Sequence, residues 1–133
     1  MTSKGGIPLA VIVSGANEHD VNFILPLVFL MLPNIGGRPG RPRRLPRRVR
    51  ADKGYTSKDL LEIFRQCGID AVIPQRGEPQ RKGLGRFRWP VERTLAWLKQ
   101  YRRVGTRRDR KLSVYESFVT LACAMITFKQ MIF

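Results

Sequence analysis

Hydrophobic positions change period several times along the chain, and each change predicts an element. Ile7 to Val13 is a β-branched apolar run between Gly5-Gly6 and Ser14-Gly15, short enough for a buried strand. Asn17-Glu18-His19-Asp20 supplies capping side chains and negative charge ahead of Val21 to Leu32, a nearly continuous apolar stretch that predicts a short buried helix. Arg48 to Asp52 reads as a second short strand. Leu60, Leu61, Phe64 and Cys67 recur at helical spacing between a cap at Thr56 or Ser57 and a stop at Gly68, which predicts a helix over 58–67. Ile69 to Pro74 is a further strand, and this strand, helix, strand order predicts a parallel pair with a right-handed crossover.

Downstream, Leu95, Trp97 and Leu98 set among Arg and Lys predict a helix over 89–103 with Pro90 in its first turn. Ser113 to Phe133 is mostly apolar and predicts a long helix with Tyr115, Phe118, Val119, Ala122, Met125, Ile126 and Lys129 toward the core. The stretches 33–50, rich in Pro, Gly and Arg, and 77–85 show no period and read as loops. The sum is an α/β fold, with one domain over 1–133 and a basic loop at 36–50 within it.

Charge narrows the picture. The 25 Lys and Arg against 10 Asp and Glu leave a formal charge of +15, a field that attracts a polyanion, so nucleic acid is the expected partner. A basic solvated surface without a dedicated ligand is the plainer alternative. Cys67 and Cys123 form no Cys-x-x-Cys pair and read as buried thiols in a reducing cytosol. With His19 the only histidine, a His-based metal cage is excluded, a Ser-His or Cys-His hydrolase is not expected, and any metal must sit on carboxylates. The longest apolar stretch, Phe23 to Leu32, is about half a bilayer span and carries Pro26, and no secretory signal is visible, so no membrane is expected.

Two short motifs carry candidate chemistry. In Ala51-Asp52-Lys53-Gly54-Tyr55 an acid falls where a predicted strand ends, the place where ligand sites of α/β sheets gather and where a carboxylate can hold a hard divalent ion. In Arg88-Trp89-Pro90-Val91-Glu92-Arg93-Thr94-Leu95-Ala96-Trp97-Leu98-Lys99, Glu92 and Lys99 lie seven residues apart, on about the same helix face, and no cation follows Glu92 at four residues to pair with it. Glu92 would thus meet a metal while Lys99 meets an adjacent phosphate. Cations of the loop (Arg43, Arg44, Arg47, Arg48) and of the stripe Arg86, Arg88, Arg93, Lys99, Arg102, Arg103, Arg107 and Arg108 would track a phosphate backbone, with steep salt dependence and weak sequence preference. Trp89, Trp97 and Tyr101 would stack on a displaced base or pack in the core.

These residues resemble the DDE transposases of insertion sequences, of the IS-five and IS-four-like superfamily, whose signature near the last acid is Tyr-x2-Arg-x3-Glu-x6-Lys. Arg88, Glu92 and Lys99 match it in order after Asp52, and the opening Gly5 to Asp20 is similar to the strand and turn before the family's first core helix. The resemblance implies an RNase H-like mixed sheet with flanking helices, Mg²⁺ or Mn²⁺, and metal-dependent cleavage and strand transfer of an insertion sequence's DNA. It assigns Asp52 and Glu92 as second and third catalytic, metal-binding acids, with Arg88 and Lys99 near the cleaved bond.

Two departures follow from the same alignment of motifs. Gly85 stands where the signature has Tyr, and the first acid belongs on a strand before the segment present here, so the domain reads as N-terminally truncated. Asp20 does not match that acid, because it follows the strand and starts a helix. The isolated chain is therefore expected to be inactive. Its expected partners are element ends and target DNA, and the upstream transposase fragment or a second copy; its expected place is the bacterial cytoplasm, at the nucleoid. The alternatives are a non-catalytic DNA-binding transposase fragment or relic and, well behind, a ribosome-associated basic protein.

Overall fold

The computed structural model describes residues 1–15, 17–36, 39–74 and 84–132, with the backbone alone for residues 84–89. The chain divides into two compact units, Ser14–Lys82 and Met1–Val13 with Gly83–Phe133.

In the unit Ser14–Lys82 the chain forms helix α1 (Asp20–Met31), strand β1 (Arg48–Arg50), a 3₁₀ turn (Lys53–Tyr55), helix α2 (Lys58–Gln66) and strand β2 (Asp70–Val72). The apolar stretch predicted as one helix is helical throughout but not uniform. Asp20–Phe23 is 3₁₀, Ile24–Pro26 makes one α turn, and Leu27–Met31 widens to a π-helix. Pro26 has no N–H to give and its ring crowds the carbonyl four residues back, so a regular ladder cannot run through it. Strands β1 and β2 pair in parallel, Val49 against Ala71, as the strand, helix, strand order requires. Among the described residues the sheet has these two strands.

The core of this unit lies between the helices and the sheet: Ile24 and Val28 of α1, Val49, Leu60 and Phe64 of α2, Ile69 and Ile73. Phe64 is completely buried and stacks against Phe29 with ring centroids 6.4 Å apart. Cys67, expected to be buried, is exposed: α2 ends at Gln66, and Cys67 is its C-cap, where the backbone leaves the helical path before Gly68. The chain then turns at Gly68, φ +69°, as the sequence signalled.

In the other unit, α3 (Leu84–Gln100), α4 (Arg102–Gly105) and α5 (Leu112–Ile132) pack together through Leu98, Ala122 and Ile126, with Trp97, Tyr101, Val104 and Cys123 at the margin. Tyr115 donates its hydroxyl to the Val104 carbonyl at 3.0 Å, fastening α5 to α4. Position 105 requires glycine: a Cβ there would lie 2.3 Å from the Lys99 carbonyl oxygen. Helix α3 begins upstream of the predicted start, so Pro90 lies inside it instead of in its first turn.

The run Ile7–Val13 forms no ladder among the described residues. Its start folds back on the preceding residues, with an isolated bridge between Thr2 and Pro8 and a 2.8 Å hydrogen bond from the Ser3 N–H to the Ile7 carbonyl. Strand propensity needs a neighbouring strand to satisfy the backbone, and this unit supplies helices. The Gly5 and Gly6 carbonyls instead accept from Arg93 and from Thr94 of α3, the latter the one buried polar residue among the described residues.

Helix α5 buries Val119, Ala122 and Ile126 as predicted, while Met125 and Lys129 face solvent together with Leu121, Phe128 and Met131. At 21 residues and mean hydropathy 1.2 it is long and apolar enough to cross a membrane by composition, which the longest-run criterion applied to Phe23–Leu32 missed.

Candidate functional site

Asp52 owes its position to the end of β1. Ala51 makes the last sheet contact, its N–H donating to the Val72 carbonyl at 3.4 Å, and the next residue leaves the ladder. Asp52 is extended (φ −73°, ψ 162°) and caps the 3₁₀ turn, its Oδ1 accepting from the Lys53 N–H at 2.7 Å. Thr56 holds the far side of the turn, its hydroxyl within hydrogen-bond reach of the Lys53 carbonyl (2.8 Å) and of the Pro74 carbonyl (2.9 Å). The carboxylate thus stands at the C-terminal end of a parallel strand, on an exposed residue.

Tyr55, the last residue of the motif, has its phenol pushed above the ordinary value, first by burial and then by the charges of Asp20 and Asp52. Both carboxylates therefore bear on one phenol, a relation that nothing in the linear spacing of residues 20, 52 and 55 announces. A phenol whose folded value is raised keeps its proton while the unfolded chain loses it, so the stability tied to it is full below the unfolded value and is lost as pH rises through the folded one. We expect alkaline destabilisation setting in above pH ~10 that Tyr55→Phe removes and Asp20→Asn lessens. Thermal melts across that range check this, and identical alkaline profiles for wild type and Tyr55→Phe would refute it.

Glu92 and Lys99 lie on α3 as the spacing predicts, both exposed. Seven residues at 1.5 Å each separate them by about 10 Å along the axis, roughly two turns, on one face. The opposite face carries Thr94 and Leu98, whose burial holds that face inward and so sets Glu92 and Lys99 outward. Arg88 belongs to α3, but its side chain lies outside the described part, as do those of Arg86 and Trp89.

The remaining cations divide into those bound up in the fold and those open to solvent. Arg93 donates to the Gly5 carbonyl and sits over the Trp97 ring at 4.7 Å, which makes it part of the packing of α3. Arg103 pairs with Asp109 at 2.8 Å and covers Phe118, and Arg107 covers Tyr115. Arg48 pairs with Asp70 across the sheet. Arg43, Arg44, Arg47, Arg102 and Arg108 are exposed, while Arg38 lies outside the described residues. Trp97 and Tyr101 pack against the helical core, the second of the two roles left open for them by the sequence.

Asp52 lies in the unit Ser14–Lys82 and Glu92 in the other. Both offer oxygen donors on exposed residues, the ligand chemistry a hard divalent ion takes. Among the described residues no three acidic, histidine or cysteine side chains gather into a group that holds a metal, so the donors fit in kind and fall short in number.

Residues 49–129, more than half of the chain, match the family described as transposase DDE domain. That span runs from β1, just before Asp52, through Glu92 to α5, and defines the class: a DDE-domain polypeptide. A transposase named for insertion sequence element IS402 of Burkholderia cepacia is 42% identical over 126 residues, 95% of this chain and 59% of that protein. One named for insertion sequence element IS6501 of Brucella ovis is 32% identical over 85 residues, 59% of this chain and 65% of that protein. The chain belongs to the DDE-type transposases of insertion sequences. It spans about three-fifths of the length of the curated relatives it matches. No solved structure matches it.

Proposed function

We propose that this chain is the second-and-third-acid part of an RNase H-like transposase catalytic domain, in which Asp52 and Glu92 are ligands of Mg²⁺ or Mn²⁺ and the element's DNA is cleaved and joined. The observation that carries the reading is the exposed Asp52 at the end of β1, inside a segment that matches the DDE domain through Glu92. Asp52 and Glu92 would hold such an ion, which would supply Lewis-acid chemistry to the reacting phosphate. This chain's own contribution is to bind and orient. Lys99, on the exposed face it shares with Glu92, neutralises backbone phosphate, and the open cations Arg43, Arg44, Arg47 and Arg102 extend that contact along DNA. The protein acts in the bacterial cytoplasm at the nucleoid, with the upstream transposase fragment or a second copy completing the assembly.

One observation favours a second reading, a DNA-binding fragment without catalysis: the described residues gather no group of three metal-holding side chains. Strand cleavage and joining on labelled element ends separates the two. With Mg²⁺, the chain alone is expected to bind DNA and leave it uncut, and the chain fused to its upstream reading frame is expected to cut and join. Cutting by the pure chain would overturn its proposed inactivity, and a fusion that binds without cutting would leave the binding fragment.

A further inference from the structure

The loop between α1 and β1 is more organised than its composition predicts. The Ile35 N–H donates to the Arg43 carbonyl at 2.7 Å and the Arg43 N–H to the Ile35 carbonyl at 2.9 Å, an antiparallel bridge that closes the loop on itself. Gly40, at φ +104°, occupies a backbone conformation that a side chain would strain. The bridge joins the two limbs next to Asn34 and Arg44, which with Arg41 and Pro42 line a hollow of about 380 Å³.

The polar lining of this hollow suits an anion. Two of the lining side chains are guanidinium groups, the third is an amide with two N–H donors, and no carboxylate is among them. Among the described residues neither Arg41 nor Arg44 has a carboxylate partner. Two like charges held at one hollow repel each other until a counter-charge enters, and a phosphate offers both guanidinium forks charge-assisted hydrogen bonds. Small-molecule pockets are mostly apolar with aromatic walls, whereas this one has no aromatic residue on which a base or nucleoside would stack.

We propose that the bridged loop is a clamp for one backbone phosphate of DNA, held by Arg41, Arg44 and the Asn34 amide. The proposal rests on the DNA-binding reading above and assigns it a site. It adds Arg41, which is not among the loop cations assigned to phosphate from the sequence and which the fold places in the lining of the hollow. It also makes the bridge, and not charge alone, the determinant.

The experiment measures binding of the full chain to a random-sequence duplex by fluorescence anisotropy across a salt series. Removing one phosphate contact lowers the salt slope by about 0.9. The Arg41→Ala/Arg44→Ala variant is expected to lose close to one unit of slope and about tenfold in affinity. Ile35→Pro deletes a bridge N–H while keeping every charge, and is expected to lose a comparable share. Lys4→Ala/Lys111→Ala removes the same charge elsewhere and is expected to change the slope by less than half as much.

Wild-type slope in the double arginine variant would overturn the proposal. So would an equal loss in the lysine control, which would make the effect one of net charge. If Ile35→Pro unfolds the chain by circular dichroism, the two double variants decide alone. If the wild-type chain binds no duplex but inorganic phosphate shifts the Arg41 and Arg44 side-chain NMR signals, the DNA-binding reading and the DNA assignment both fall and an anion site stands. Neither duplex binding nor phosphate shifts would end both.

Discussion

Asp52→Asn, introduced into a fusion that cleaves element ends, is expected to lower strand cleavage by more than about a hundredfold while leaving the fold intact. Partners that merely orient metal ligands are worth 10–100-fold, and a ligand itself is worth more. The asparagine is chosen because Asp52 has a second, structural job. Its Oδ1 accepts from the Lys53 N–H and caps the 3₁₀ turn, a contact worth roughly 1 kcal/mol that an amide oxygen keeps and an alanine loses. A purely structural Asp52 would make Asp52→Asn nearly silent and Asp52→Ala mildly destabilising. A metal ligand would make both variants inactive, with only the alanine less stable. Glu92→Gln, at an exposed position of α3, is expected to match the asparagine variant in activity with no change in melting temperature. Full cleavage by either amide variant would remove that acid from the chemistry.

Phe64→Ala is expected to carry the largest cost in stability, about 3–5 kcal/mol. Its ring is completely buried, it faces Phe29, and it shares the inner face of α2 with Leu60 one turn before. Deleting it leaves a void where α1 and α2 meet. Whole domains are stable by roughly 5–15 kcal/mol, so this loss removes a large share of the stability of the unit Ser14–Lys82 and with it the support of Asp52 at the strand end. Urea unfolding followed by amide exchange over α2 and β2 checks this. Ile63→Ala on the same helix is the control, because Ile63 faces outward and its loss is expected to cost well under half as much. Equal midpoints for the two variants would show that Phe64 is not the keystone of that core.

The motif acids were legible because their signal is local. Asp52 follows three residues of alternating strand, and Glu92 and Lys99 sit on one helix at a spacing that a single rotation angle converts into a shared face. Family membership was legible for the same reason, since two short motifs in order do not need the fold to be known. The helix boundaries were legible to within a few residues where caps and glycine mark them, as at Ser57 and Gly68, and poorly where Pro90 offered a plausible start that α3 runs past.

What misled was the assumption that a residue type carries its surroundings with it. Ile7–Val13 has strand composition, but a strand is a relation between two segments, and beside it the chain places α3, which takes the Gly5 and Gly6 carbonyls through Arg93 and Thr94. Arg93 looks like its neighbours in a basic stripe, and the packing of α3 gives it a carbonyl and a tryptophan ring. Cys67 looks apolar and has the spacing of the inner face of α2, but the helix ends one residue before it, and the cap leaves its side chain in solvent.

By itself, then, the sequence determined the parallel strand pair, the main helices, the +15 charge and the family, because periodicity, charge and short motifs are properties of neighbours in the chain. Tertiary structure alone decided which arginines are committed to packing, that Asp20 and Asp52 both bear on Tyr55, and that a loop rich in Pro, Gly and Arg closes through Ile35 and Arg43. Those outcomes depend on contacts between segments far apart in sequence or on a loop closing on itself, and such contacts have no period to read. They are settled by which buried polar groups find partners and which apolar faces find cover.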